Sequence, residues 1–259
     1  MKRSGLLLLP LILVAGVLLY FFVPSKSGQQ SVDFNNAAEI VKSAQAKTGQ
    51  AKNYKYSSDI KAGDQIKVSV SDRVEVSEAK RQMMDFSWNI PKMSGMASMY
   101  IEGEQLYLYH PLKNKWLLPS EEPTVGPFID YFWNQLALID PVENILKLDP
   151  EGSNISIFSE AEPKVADSVA VQVIPRGAAL AEFKKALPPQ FAGADLKDVK
   201  QFFWISRQDL LVTRYEVQAK VSFFGIKAMD FMTSSKASNY NETEIKLPQP
   251  LVDKMKQGK

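Results

Sequence analysis

The chain of 259 residues has no cysteine and a single histidine. Without cysteine it can form neither disulfide bonds nor thiolate metal sites, and it offers no cysteine for a lipid anchor. The lone His110 lacks the partner spacing of a catalytic motif, which indicates a surface or hydrogen-bonded structural role. Neither a phosphate-binding glycine motif nor G-x-S-x-G occurs. These absences favour a binding protein over an enzyme, with no cofactor and no metal.

No strongly basic face is present either. The formal net charge of +2 is carried mainly by Lys2, Arg3 and Lys26 near the N-terminus, so nucleic acid is not an expected partner. No Gly/Ser-rich or Pro-rich linker interrupts the middle of the chain. Residues 29–259 are therefore predicted to form one domain.

The N-terminus does contain a long apolar run. Lys2 and Arg3 precede an uncharged stretch over residues 5–23, close to the ~20 residues that cross a bilayer as a helix. Because no Ala-x-Ala cleavage site follows, an uncleaved signal anchor is favoured over a cleaved signal peptide, and residues 1–28 supply this segment and its tether. The domain is then expected outside the cytoplasm on a single-pass anchor in the cell membrane. If the segment is cleaved, the domain is secreted or periplasmic.

Alternating side chains over residues 84–116 indicate an antiparallel meander. Met84, Phe86 and Trp88 alternate with polar residues, which is typical of a strand with one buried face. A turn around Gly103 then joins two β-rich runs as a hairpin. Similar alternation predicts two earlier strands, over residues 54–60 and 66–76, and four later ones, over residues 201–206, 210–218, 228–235 and 240–247.

Three regions have helical spacing instead. Asp33 is a candidate cap for a helix over residues 34–52. Residues 128–139 and 142–148 predict two helices separated by Asp140-Pro141, and residues 177–187 predict a short one. The lysine-rich C-terminus is expected to fray. The fold class is therefore α+β: a curved antiparallel sheet, or incomplete β-barrel, with helices packed on its concave face and one N-terminal transmembrane or signal helix before it.

Several short motifs resemble those of the LolA/LolB-type lipoprotein-carrier fold, including outer membrane lipoprotein-sorting proteins, and of the related LppX and LprG kind of exported lipid-binding protein. The motifs are Tyr100-Ile-Glu-Gly103, Leu106-Tyr-Leu-Tyr109, Lys115-Trp116, Trp204-Ile-Ser, Leu210-Leu-Val-Thr-Arg214 and Ile245-Lys-Leu-Pro248. The resemblance implies a half-barrel that holds acyl chains between its sheet and its helices. The chain differs from LppX and LprG because it lacks their lipid-modified cysteine.

Large apolar side chains are the candidate cavity lining, since methionine and aromatic groups suit variable apolar ligands. Core filling is the alternative for each of them. The candidates are Met84, Phe86, Trp88, Met99, Tyr107, Trp116, Phe128, Tyr131, Phe132, Leu136, Trp204 and Tyr215. A separate loop with Phe223, Phe224 and Ile226 between lysines is predicted to touch a membrane or a partner, or else to fold back into the core.

Two functions from different classes follow. The first is an extracytoplasmic, membrane-tethered carrier for lipid or for the acyl chains of lipoproteins, with residues 5–23 as its membrane contact. The second is a sensor or interaction module of the cell envelope similar to the RseB type, which has a packed core, transports no ligand and binds another envelope protein.

Overall fold

Eleven strands form one antiparallel sheet. They are β1 (Asn53–Ala62), β2 (Ile66–Glu75), β3 (Arg81–Ile90), β4 (Met93–Glu102), β5 (Gln105–His110), β6 (Lys115–Leu117), β7 (Ser153–Ile157), β8 (Ser168–Pro175), β9 (Asp195–Ser206), β10 (Val212–Ser222) and β11 (Met229–Ser238). Their spatial order is β6-β5-β4-β3-β2-β1-β11-β10-β9-β8-β7. Two meanders therefore meet at the β1–β11 pair in the middle of an open sheet.

The computed structural model describes residues 32–64, 66–76, 80–90, 93–111, 113–121, 139–159, 165, 167–185, 195–222 and 228–257. The chain divides into two compact units, Met1–Val32 and Asp33–Lys259. Every described strand, helix and hydrophobic cluster belongs to the second unit. The predicted anchor at residues 5–23 lies outside the described residues. Within those residues, no helix has both the length and the apolar character that a bilayer crossing requires.

The predicted fold class of the domain, α+β with a large open antiparallel sheet, is confirmed, whereas the predicted N-terminal helix lies outside the described residues. Side-chain alternation explains the strands: in β1, Tyr54, Tyr56 and Ser58 are buried while Lys55 and Ser57 are exposed. Such a pattern lets one face of each strand join a core while the other meets water. In β9, apolar residues occupy both faces, because clusters pack on each side of the sheet.

Four α-helices accompany the sheet within the described residues: α1 (Ala37–Thr48), α2 (Pro141–Lys147), α3 (Gly177–Lys185) and α4 (Gln249–Gln257). The predicted cap of α1 at Asp33 is wrong: Asn36 is the N-cap and accepts a hydrogen bond from the Glu39 backbone N–H. In α2, Asp140 is the N-cap and Pro141 occupies the first turn, where proline suits a helix start.

The C-terminal region differs most from expectation. Instead of a strand, residues 240–247 form a turn and a segment without regular secondary structure that leads into α4. Instead of fraying, α4 buries Leu251 completely and pairs Lys254 with Glu121 across 2.7 Å. The helix packs on the side of the sheet that carries Trp116, so the helices of this fold are not confined to one face.

Candidate functional site

Helices α1 and α2 define the inner face of the sheet. They pack against each other, and α2 lies over β10 and β11. Ile40, Val41 and Ala44 of α1 are fully buried. The β1 side chains Tyr54 and Tyr56 belong to the same hydrophobic cluster as Val142 of α2. We call the face that these residues share the inner face and the opposite one the outer face.

One end of the inner face is an apolar floor, formed by Ile60, Val68, Val70, Phe86 and Trp88. Strand register places them side by side, since Ile60 lies opposite Val68, Val68 opposite Trp88, and Val70 opposite Phe86. All five belong to or pack against one hydrophobic cluster, and the Phe86 and Trp88 rings lie 5.8 Å apart. The floor offers continuous apolar surface across three strands.

A glycine shapes the edge of the apolar floor. Gly95 lies opposite Trp88 in the β3–β4 pair. A Cβ atom at Gly95 would stand 2.3 Å from Cζ2 of Trp88, well inside any allowed contact. The indole ring therefore lies flat over the backbone of β4, which a side chain at position 95 would prevent.

The other end of the inner face contains two buried carboxyl groups. Asp140 accepts a hydrogen bond from the Tyr54 hydroxyl at 2.7 Å. Burial, followed by the charge of Glu143, raises the pKa of Asp140 to about 6. Asp72 is fully buried and accepts a hydrogen bond from Gln82 at 3.2 Å. Burial and then the charge of Asp140 raise the pKa of Asp72 well above its usual value.

Polar contacts fix α2 over this acidic end. Asn144 accepts a hydrogen bond from the Tyr215 hydroxyl of β10 at 3.2 Å. Gln45 of α1 donates to the carbonyl oxygens of Ile145 and Leu148, at 3.0 and 2.8 Å. Lys80 forms an ion pair with Glu143. The helix is thus attached to β10 and to α1 through directional side-chain hydrogen bonds, and to Lys80 through an ion pair.

The structure separates the predicted cavity residues into two groups. Five lie on the inner face: Met84, Phe86, Trp88, Met99 and Tyr215. Three lie on the outer face: Tyr107 and Trp116, which pack with Leu251 of α4, and Trp204, which packs with Phe202 and lies under the Arg214 guanidinium. The second group cannot line the same cavity as the first. The reason is that strands with apolar residues on both faces place successive side chains on opposite sides.

Seven further predicted residues lie outside the described part of the chain. They are Phe128, Tyr131, Phe132 and Leu136 of the predicted helix, and Phe223, Phe224 and Ile226 of the predicted membrane or partner loop.

Sequence reasoning missed the polar residues of the inner face. In β2, Asp72 lies on the same face as Val68, Val70 and Val74. An aspartate among the apolar residues of one strand face could have indicated a buried carboxyl group. Asp140 was interpreted only as a helix breaker. Its position directly before Pro141 is also that of an N-cap, which the structure shows it to be.

A metal centre finds no support in the described residues, which contain no cluster of three or more His, Asp or Glu side chains placed to hold an ion. His110 accepts a hydrogen bond from the Lys113 backbone N–H at 3.3 Å, as a hydrogen-bonded structural residue would. The inner face thus combines a largely buried apolar floor with a closed acidic end.

The sequence matches no protein-family model and none of the curated proteins. Solved structures do resemble the fold. LprF from Mycobacterium bovis has a TM-score of 0.47 at 10% identity, over 83% of this chain and 96% of its own. An outer membrane lipoprotein-sorting protein domain from Vibrio parahaemolyticus has a TM-score of 0.30 at 10% identity, over 86% and 98%.

A third likeness is to the MucA/MucB complex of Pseudomonas aeruginosa. It has a TM-score of 0.35 at 9% identity, over 82% of this chain and 64% of the other. All three are likenesses of fold. The open antiparallel sheet and its helices match the fold class expected from the sequence. At these identities the likenesses assign no activity to this chain.

Proposed function

We propose that this chain is a carrier or binding protein for lipid or for lipoprotein acyl chains, and that it is not an enzyme. The observation that supports the proposal is the apolar floor of the inner face, where Ile60, Val68, Val70, Phe86 and Trp88 form one continuous surface. Ile60, Val68, Val70 and Phe86 are only 3–7% exposed, so an acyl chain contacts this surface only when the groups that cover it move aside. None of the five positions carries a charged side chain.

The energy available from such burial is large. Each buried CH₂ group contributes about 0.8 kcal/mol, so a chain of roughly 14 methylenes gains on the order of 11 kcal/mol if it is fully covered. Partial cover by one face yields about half of that. Full cover corresponds to a Kd on the order of 10 nM and half cover to one of about 0.1 mM, before the entropy cost of association is subtracted.

We further propose that the protein acts outside the cytoplasm, tethered to the cell membrane through residues 5–23. The apolar run and the preceding Lys2 and Arg3 support this location. Intact mass of the membrane-extracted protein tests it. A retained N-terminus is expected, whereas a mature chain that starts near Gly28 would leave a secreted or periplasmic protein.

A second candidate, an RseB-like sensor or interaction module, is favoured by a different observation. The Tyr54–Asp140 and Tyr215–Asn144 hydrogen bonds close α2 onto one end of the inner face, as a packed core without a transported ligand requires. In that case the partner is another envelope protein, and residues 223, 224 and 226 are the proposed contact with it or with the membrane.

Two tryptophans on opposite faces allow a direct test. Trp88 lies on the inner face, while Trp116 is buried on the outer face beside Tyr109. Brominated acyl lipids quench indole fluorescence only near contact. We expect the quenching of indole fluorescence in the fragment of residues 33–259 to fall strongly in Trp88→Phe and to persist in Trp116→Phe. Circular dichroism checks that both variants are folded.

The two candidates give different results in this experiment. Quenching that depends on Trp88, together with lipid in the native mass spectrum of the purified protein, supports the carrier. Absence of quenching, with no lipid uptake, would reject the carrier and leave the interaction module. Equal quenching in both variants would place the lipid elsewhere on the protein.

A further inference from the structure

Thr233 occupies an unusual position on the inner face. It lies in β11 between Ile60 of β1 and Val217 of β10, and its exposed fraction is 0%. Its hydroxyl oxygen has no hydrogen-bond partner within the part of the chain that the structure describes. A buried hydroxyl without a partner is unfavourable, because it has lost its water and gained nothing in return.

Two more hydroxyls lie next to it. Ser235 follows on the same side of β11, about 7 Å along the strand, and Ser58 lies opposite Ser235 in β1. The Ser235 hydroxyl donates to the Ser58 hydroxyl at 2.8 Å. None of the hydrogen bonds between described residues uses the hydrogen of Ser58. These three hydroxyl groups therefore include two unused hydrogen-bond donors, those of Thr233 and Ser58. Both lie beside the apolar floor, which begins at Ile60.

The residues directly opposite these hydroxyls in the neighbouring strands are uncharged. Their neighbours on the inner face are Val70, Ile60, Val217 and Tyr215. Among the described residues, the contacts of the inner face include one lysine, Lys80. It already forms an ion pair with Glu143. An anionic group placed here would meet buried carboxyl groups and no cation, which is costly for a charge removed from water. A neutral acceptor fits better.

We propose that Thr233 and Ser58 form a subsite that binds the ester carbonyl of a neutral acyl ligand. This inference rests on the proposed carrier function and adds the class of ligand to it. The acyl chain lies on the apolar floor, and its ester oxygen accepts hydrogen bonds from the two hydroxyls. The ligand is an acylglycerol ester, as found in free neutral lipid and in the diacylglyceryl group of an acylated polypeptide.

The test compares methyl laurate with dodecane, which has no hydrogen-bond acceptor, by displacement of a fluorescent acyl probe from residues 33–259. Thr233→Val keeps the shape of the side chain and removes the hydroxyl. We expect it to weaken methyl laurate about fivefold relative to the unsubstituted protein and to change dodecane less than twofold. Ser58→Ala is expected to act in the same direction.

Thr213→Val is the matched control, because the Thr213 hydroxyl already donates to the Trp204 carbonyl at 3.2 Å. It should alter neither ligand. Equal losses for methyl laurate and dodecane in Thr233→Val, or no loss for either, would overturn the ester subsite and leave the carrier function intact. Failure of the fluorescent probe to bind the unsubstituted protein would instead overturn the carrier function, and the subsite with it.

Two further comparisons define the ligand. Extraction from vesicles should favour dilauroylglycerol over dilauroylphosphatidate, which carries the same esters and an anionic phosphate. A preference for the phosphatidate would overturn the neutral class. Dilauroylglycerol and an S-dilauroylglyceryl-cysteine peptide then distinguish the two sources of the ester: tighter binding of the first indicates a free lipid, and tighter binding of the second an acylated polypeptide.

Discussion

Replacing Asp140 with asparagine should remove a large part of the pH dependence of stability. The carboxyl group of Asp140 is buried, caps α2 through the backbone N–H groups of Val142 and Glu143, and accepts from Tyr54. Asparagine caps helices as well as aspartate does and retains an oxygen acceptor. The substitution therefore removes the charge and keeps the cap, while the amide nitrogen takes the place of Oδ2, so that the Tyr54 hydroxyl accepts from it instead of donating.

The size of the effect follows from the pKa of Asp140, which is raised from 3.8 to about 6. A raised pKa means that the folded state binds the proton more tightly than the unfolded state does. This contribution to stability is fully present below about pH 4 and is lost as the pH rises through about 6. A shift of roughly two pKa units corresponds to about 3 kcal/mol.

Urea unfolding of residues 33–259 at pH 4.5, 6 and 8 measures this contribution. Relative to the unsubstituted protein, Asp140→Asn should gain about 2 kcal/mol between pH 4.5 and pH 8, because part of the full contribution is already lost at pH 4.5. Asp64→Asn changes an exposed aspartate in the β1–β2 turn and should show the same profile as the unsubstituted protein. Parallel profiles for the unsubstituted protein and Asp140→Asn would refute the linkage between this carboxyl group and folding.

Three other substitutions test the packing. Gly95→Ala should cost about 1–3 kcal/mol in urea unfolding, because its Cβ collides with the Trp88 ring, and the cost should shrink in a Trp88→Phe background; an equal cost there would refute the ring contact. Arg214→Met should cost about 3–5 kcal/mol by leaving buried Glu216 unpaired, and adding Glu216→Gln should restore much of it unless the pair has no role. Leu251→Ala should cost about 2–5 kcal/mol, whereas a change below about 0.5 kcal/mol would show that α4 does not contribute to the fold.

Strand alternation made most of the sheet predictable. The period-two pattern of Met84, Phe86 and Trp88 correctly placed all three on the inner face. Where a strand has apolar residues on both faces, the pattern could not show which residues face the inner side of the sheet. Tyr107 and Leu108 are both buried, on opposite faces, and only the pairing of β5 with its neighbours decides which face each one joins.

The C-terminal helix shows a different limit of sequence reasoning. Leu251 and Met255 lie four residues apart among lysines, a stripe too short to stand out by periodicity. Helix α4 forms because it covers an aromatic cluster on the outer face that contains Tyr100 and Trp116. Tertiary packing of this kind is invisible to a local pattern.

The buried hydroxyls were equally hard to foresee. Ser58 and Ser235 are separated by 177 residues in sequence, yet their hydroxyls lie 2.8 Å apart. Small polar residues at inward parity are common in strands, and only the β1–β11 register turns these two into neighbours. The candidate site is thus a product of the sheet order more than of any local motif.

The same β1–β11 pair has a consequence for how the protein is made. The first meander, β1 to β6, is complete in the growing chain long before β11 is synthesised, and during that interval the backbone of β1 remains an unpaired edge. Closing the sheet requires a pairing between distant parts of the chain, which is slow and leaves nascent chains prone to aggregation. We therefore expect newly made protein to be most prone to aggregation in the interval before the last strand arrives, and chains that stop before residue 229 to be rapidly degraded.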